Sequence, residues 1–242
     1  MKVHIIGQDV ANLRAAMEQT GIEIAPPDQA DVMICHGGDG TLIGAERDFP
    51  GIPKVPIRND HNCVKCPRHE TQAILERLKS GALERSVLRK VQMRWKDHVK
   101  LAVNEVGLHM ANPASATRFY LSVNGELYVP HEIIGDGLVV ATPFGSTAYF
   151  RSITRGTFKA GLGLAIVNSV EPVEWAVLDV ADRLSVQITR GPALLLADND
   201  PEQWELHEND RLEIGMAEEP YTILGLDALR CKQCVVAGRP MD

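Results

Sequence analysis

Apolar residues follow two different rhythms along this chain. Up to about residue 86 they come as short solid runs separated by stretches at helical spacing. Val3-His4-Ile5-Ile6-Gly7 and Asp31-Val32-Met33-Ile34-Cys35 read as buried strands. Between them Leu13, Ala16 and Met17 share a helix face, with Asp9 placed to cap the helix and Gly21 to stop it. Leu42, Ile43 and Ala45 predict a second helix starting after the glycines. Ile74, Leu75 and Leu78 predict a third from about Glu70 to Lys79, with Gly81 past its end. Strand, helix, strand, glycine turn, helix is the grammar of a parallel α/β sheet. The stretch from Phe49 to Pro67 holds four prolines and reads as irregular. After Ser86 the rhythm shortens: Val91–Trp95, His98–Val103, Phe119–Val123 and Leu184–Ile188 show alternation, and turns such as Asn124-Gly125 separate them. A mostly β domain therefore runs to about Leu226, and two intimately joined domains are the simplest account.

Three stretches do not fit this packing pattern. Gly37-Gly38-Asp39-Gly40-Thr41 falls where a parallel sheet places its ligands, at a strand's carboxyl end. Its glycines let phosphates approach the backbone, a following helix N-terminus adds positive potential, and Asp39 could accept a proton or help hold Mg²⁺. An ordinary glycine turn with an acidic cap accounts for the same residues. Asn104-Glu105 pairs an amide with a carboxyl group, which suits a sugar diol; a solvated strand end is the plainer reading. Thr142-Pro143-Phe144-Gly145-Ser146-Thr147, leading to Tyr149, is too small and polar to be packing, and suits a loop that brings amides and hydroxyls to a polar ligand.

Charge and cysteine usage narrow the ligand. The net charge of -7 argues against general nucleic-acid or anionic-membrane binding, so a phosphate ligand must be neutralised locally. No segment approaches the roughly 18 apolar residues of a membrane span, and the start of the chain has no cleavable leader pattern. Five cysteines, an odd count, make a poor disulfide framework, and a cytoplasmic protein is expected.

Taken in order, Gly37–Thr41, Asn104-Glu105 and Gly135-Asp136 through Tyr149 resemble the motifs of the NAD kinases in content and spacing. The glycine motif alone is shared with lipid and sugar-phosphate kinases, whereas the third motif is specific. The resemblance is traceable from about residue 31 to 215. It implies an α/β (Rossmann-like) domain of residues 1–88, a β-sandwich domain of residues 89–226, and a segment, 227–242, returning to the first domain. It also implies transfer of the terminal phosphate of ATP or polyphosphate to the adenosine ribose 2′-hydroxyl of NAD, giving NADP. Asp39 would be the general base, with Gly37, Gly38, Gly40, Thr41 and Mg²⁺ holding the donor phosphates. Asn104 and Glu105 would bind ribose hydroxyls. Thr147, Ala148, Tyr149 and Ser152 would surround a base. Asp136 would hold the nicotinamide carboxamide, often from a neighbouring subunit, in a homodimer or homotetramer.

The chain departs from the family in places. Val55-Pro56-Ile57-Arg58 and the residues after it replace the family's Asn-x-Gly-x-x-Gly-Phe segment, and Ser152-Ile153-Thr154-Arg155-Gly156 replaces Ser-Ala-Gly-Gly. A Pro-His pair expected near Ile166–Asn168 is missing. These changes keep two alternatives open: a kinase for a lipid or other hydroxylated metabolite, and a non-catalytic nucleotide-binding regulator. Cys63, Cys66, Cys231 and Cys234 form two Cys-x-x-Cys pairs with the spacing of a four-cysteine structural zinc site; reduced cysteines or two redox pairs are the alternatives. Cys35 reads as core.

Overall fold

The computed structural model describes residues 1–8, 10–58 and 70–229. They form two compact units, Met1–Leu88 with the chain from Pro220 on, and Arg89–Glu219. The first holds β1 (Lys2–Gly7), α1 (Ala11–Thr20), β2 (Glu23–Ile24), β3 (Val32–His36), α2 (Asp39–Asp48), β4 (Lys54–Ile57) and α3 (Thr71–Lys79). Its strands run parallel in the order β4-β3-β1-β2. β3 and β4 are buried along their whole length, as strands covered on both faces must be. Val3, Ile34, Val55 and Ile57 pack with Leu13 and Met17 of α1 and Ile74, Leu75 and Leu78 of α3 in one core.

Two expectations are corrected here. The proline-rich stretch expected to be irregular contains β4, with Pro56 inside it. Pro53 and Ile57 turn their carbonyls to β3, accepting from Met33 and Gly37. Pro56, one residue out of phase, therefore faces the other side. There the last described strand, β17 (Arg211–Leu224), stops just after pairing Ile223 with Lys54. The missing N–H of Pro56 has no ladder to break. Second, α2 starts at Asp39, inside the glycine motif and not after it, with Gly38 as its extended N-cap. Val10 precedes α1 without side-chain capping; Asp9, the expected cap, lies outside the described residues.

The second unit is a β-sandwich. Its remaining strands are β5 (Arg85–Trp95), β6 (His98–Ala102), β7 (Glu105–Met110), β8 (Thr117–Val123), β9 (Glu126–Leu127), β10 (Ile133–Gly135), β11 (Gly137–Ala141), β12 (Leu162–Val167), β13 (Ala176–Leu178), β14 (Arg183–Arg190), β15 (Ala193–Ala197) and β16 (Trp204–Leu206). One short helix, α4 (Tyr149–Thr154), belongs to this unit, whereas α5 (Leu226–Leu229) belongs to the first. One sheet runs β10-β8-β14-β17; the other runs β13-β12-β11-β7-β15-β16 and is antiparallel throughout. Alternating residues of both, among them Val106, Leu108, Phe119, Leu121, Leu138, Val186 and Leu195, close one core. The Asn124-Gly125 turn has both residues at positive φ, 52° and 88°, as a two-residue hairpin requires. α4 lies on the outer face of the second sheet, with Phe150 against Ala141 and Ala165. Beside it, the row Val139–Gly107–Leu196 crosses β11, β7 and β15 in register, and this row becomes the floor of the site below.

Candidate active site

In the first unit, β1 and β3 end together. A Cβ on Gly7 would stand 2.0 Å from the carbonyl of His36, so only glycine allows the approach. Gly37 follows, its amide on the carbonyl of Ile57 at 2.9 Å. A Cβ at Gly37 would meet the Thr41 hydroxyl at 2.3 Å. The turn thus folds onto the first turn of α2, leaving backbone at the strands' carboxyl ends beside a helix N-terminus, where anions are favoured. Asp39 is the acidic residue of that first turn. Arg58, the residue after β4, brings its guanidinium to 3.7 Å from the Asp39 carboxylate and is itself only 7% exposed. A nearly buried cation beside a carboxylate and a glycine turn suits a second anion as well as the first.

In the second unit the expected sugar-binding pair forms the turn between β6 and β7, and Asp198 builds it. The Asp198 carboxylate accepts the amides of Val103, Asn104 and Glu105 at 2.6, 2.8 and 3.1 Å. Its own amide donates to the Glu105 carbonyl at 3.0 Å, and its φ is 47°. The Thr142–Thr147 loop then docks on this turn through backbone. Thr142 donates its amide to the carbonyl of Asn104 and its hydroxyl to that of Val103, at 2.8 and 2.7 Å. A Cβ on Gly145 would lie 2.1 Å from the Asn104 carbonyl oxygen. Ser146 and Thr147 spend their hydroxyls on carbonyls of Pro143, Phe158 and Phe144, so they shape the loop.

Beside the turn, over the Val139–Gly107–Leu196 row, lies a cavity of about 370 Å³ lined by Glu105, Gly107, His109, Val139, Tyr149, Leu196 and Asp198. Asn104 Oδ1 and Glu105 Oε2 are buried and make no hydrogen bond among the described residues. Burial, helped by the negative charge of Asp198, pushes the Glu105 carboxyl up to about 8. Burial lowers His109, opposed by Asp136, and burial with Asp136 and Glu105 raises Tyr149. Asp136 is gripped by its neighbours. A Cβ on Gly137, at φ 144°, would lie 1.7 Å from the Leu108 carbonyl oxygen, and one on Gly135 2.9 Å from that of Val167. Asn168, at φ 47°, donates its amide to the Asp136 carboxylate at 2.7 Å.

Of the residues predicted from sequence, Glu105 and Tyr149 line the cavity, Asn104 lies in the turn beside it, and Thr147 and Ala148 belong to its loop. Ser152 sits on α4, exposed, its hydroxyl turned back to the Tyr149 carbonyl, and is not a lining residue. Arg155 ends α4 in the left-handed conformation, φ 61°. Gly107, His109 and Asp198 escaped the sequence reading. Strand alternation from Glu105 points to the first two, since residues 105, 107 and 109 share a face. Cys63, Cys66, Cys231 and Cys234 lie outside the described residues. Cys35 is buried in β3.

The raised Glu105 carboxyl has a measurable consequence. In the unfolded chain Glu105 ionises near the ordinary carboxyl value of 4.5, while in the folded chain it holds its proton to about 8. Its contribution to stability is therefore full at acid pH and is lost as pH rises from about 4.5 to about 8. Glu105→Gln, which cannot ionise, is expected to flatten that decline and raise stability near pH 8 by a few kcal/mol at most; denaturant melts from pH 5 to 8.5 check it.

A glycine turn at a helix N-terminus with a carboxylate, and a separate polar cavity beside the Asn104-Glu105 turn, are features a nucleotide-using phosphotransferase needs, and the relatives place the chain in that class. The ATP-NAD kinase C-terminal domain model matches residues 103–226. An NAD kinase of Methylococcus capsulatus is 31% identical over 228 residues, covering 87% of this chain and 77% of the relative. An NAD kinase of Saccharolobus islandicus is 28% identical over 180 residues, covering 72% and 70%. The fold matches an Archaeoglobus fulgidus NAD kinase in complex with ATP, at TM-score 0.77 and 18% identity over 94% of this chain and 95% of that one. It also matches yeast NADH kinase complexed with NADH, at TM-score 0.76 and 16% identity over 93% and 83%. The chain belongs to the NAD kinase family. Among the described residues no helix is long and apolar enough to cross a membrane.

Proposed function

We propose that this protein transfers the terminal phosphate of ATP or polyphosphate to the adenosine ribose 2′-hydroxyl of NAD, giving NADP. The observation that carries this reading is the Asn104-Glu105 turn. It buries an amide oxygen and a carboxyl oxygen without partners among the described residues, beside a cavity with a tyrosine ring. Buried polar groups want hydrogen bonds. With Glu105 protonated at neutral pH, the pair offers one acceptor and one donor, the complement of a ribose diol.

In this reading Asp39 takes the proton from the 2′-hydroxyl as its oxygen attacks the terminal phosphorus. The bond to the bridging oxygen breaks, and ADP or a shortened polyphosphate leaves. The backbone of the Gly37–Gly40 turn and the start of α2 receive the donor phosphates, and Arg58 neutralises part of their charge. This is positioning and electrostatic catalysis. Among the described residues no cluster of three metal-binding side chains is present. Asp39 is the residue that would help hold Mg²⁺ beside the glycine turn. When bound, the ion supplies charge neutralisation of the phosphates.

Asp136, fixed by two glycines and Asn168, is assigned to the nicotinamide carboxamide of NAD, in a homodimer or homotetramer. A cytoplasmic location and structural zinc on the four cysteines rest on the sequence alone, and metal analysis tests the second. The functional test is incubation with NAD, Mg²⁺ and either ATP or polyphosphate, with phosphorus NMR of the product. A new monoester on the adenosine ribose 2′-oxygen is expected. A phosphate at any other position would replace the substrate assignment.

A further inference from the structure

One polar ring in the cavity has no task in the reading above. Glu105, Gly107 and His109 line the same face of β7. Gly107 stands in register between Val139 and Leu196, so the row across the three strands has a bare centre. A Cβ there would lie 3.2 Å from both Cδ2 and Nε2 of His109. The imidazole therefore leans back along the strand over the Cα of Gly107, in the groove between the two apolar neighbours. Its centroid is 5.7 Å from that of Tyr149, with the planes 35° apart. Rings at about 4.5–7 Å are in direct contact, so the pair forms one wall and not a slot. Neither ring nitrogen of His109 hydrogen-bonds a described residue. Burial favours its neutral form, which carries one donor and one acceptor.

We propose that His109 is a specificity-determining residue. Together with Tyr149 it forms the wall that seats a planar nitrogen heterocycle of the dinucleotide, and it hydrogen-bonds the exocyclic –NH₂ group which that heterocycle carries. Gly107 provides the room for this placement. The inference rests on the proposal that NAD occupies this unit. A cavity of about 370 Å³ has the size of one base with its sugar, within the range of ordinary small-molecule sites. Both ends of NAD carry the required chemistry, an adenine amino group and a nicotinamide carboxamide, and analogues separate them.

The test is calorimetric binding of NAD, of its hypoxanthine analogue and of its nicotinic acid analogue to the full-length protein. Wild type, His109→Phe, His109→Gln and Gly107→Val are compared, with a thermal melt for each. Wild type is expected to prefer NAD over one analogue by about tenfold or more, and the analogue disfavoured identifies the end that is read. His109→Phe keeps an aromatic wall but should lose that preference, His109→Gln should regain part of it, and Gly107→Val should weaken it by displacing the imidazole. In turnover, KM for NAD should change more than kcat. If wild type binds NAD but folded His109→Phe discriminates as wild type does, His109 has no such role. Should wild type bind no NAD at all, the functional reading falls first and this inference with it.

Discussion

Asp39→Asn is expected to slow phosphate transfer by about 10²–10⁴-fold, the usual contribution of a positioned general base, while NAD affinity stays within about twofold of wild type. The substitution keeps the shape of the side chain at the first turn of α2 and removes its ability to accept the hydroxyl proton. It also removes a carboxylate charge 3.7 Å from Arg58. With that negative charge gone the donor phosphates meet less repulsion, so KM for the donor should fall or stay level while kcat collapses. Initial rates with ATP, and calorimetry with NAD, separate the two effects. A near-normal rate in the variant would remove Asp39 from the chemistry.

Gly145→Ala carries the second large effect. Its Cβ would sit 2.1 Å from the carbonyl oxygen of Asn104 and 2.4 Å from the carbonyl carbon, both backbone atoms that cannot rotate away. The loop must lift off the Asn104-Glu105 turn, breaking the amide contact of Thr142 and opening the cavity wall that carries Tyr149. Overpacking of this kind costs about 1–3 kcal/mol or more, and loss of NAD affinity by tenfold or more is expected with it. Gly125→Ala is the control. Gly125, unlike Gly145, has positive φ, 88°, and nothing within reach of an added Cβ, so only the backbone penalty of about 1 kcal/mol applies and NAD affinity should be unchanged. Melting temperatures and NAD titrations of both proteins check the contrast. Equal losses in the two would mean that loop and turn are not coupled as described.

Much of this architecture was legible in the residues. Solid runs such as Val32–Cys35 announced a sheet buried on both faces, and the alternation in Phe119–Val123 and Leu184–Ile188 announced the sandwich. The glycine turn was legible as a run of glycines after a solid apolar strand; in the structure the His36 carbonyl leaves no room for a Cβ at Gly7, and the Thr41 hydroxyl crowds one at Gly37. β4 was obscured by Pro56 inside it and Pro53 just before it. Only the place where β17 stops makes Pro56 harmless, and that is a non-local fact. Asp198 was similarly hidden: its partners are the amides of residues 103–105, almost a hundred positions earlier. No local pattern marks an acid that will build a distant turn. Asn168 is another such case, a left-handed residue whose amide reaches Asp136 across β11 and β12. Arg58, just after β4, stands against Asp39, which no spacing argument would have placed there.

The most direct test of the account is a paired measurement on one preparation of the full-length protein, NAD binding by calorimetry and NADP formation with ATP and Mg²⁺. The account predicts saturable NAD binding and steady NADP production that depends on the donor. Tight NAD binding with no NADP from ATP or polyphosphate would contradict it and leave a nucleotide-binding regulator in its place.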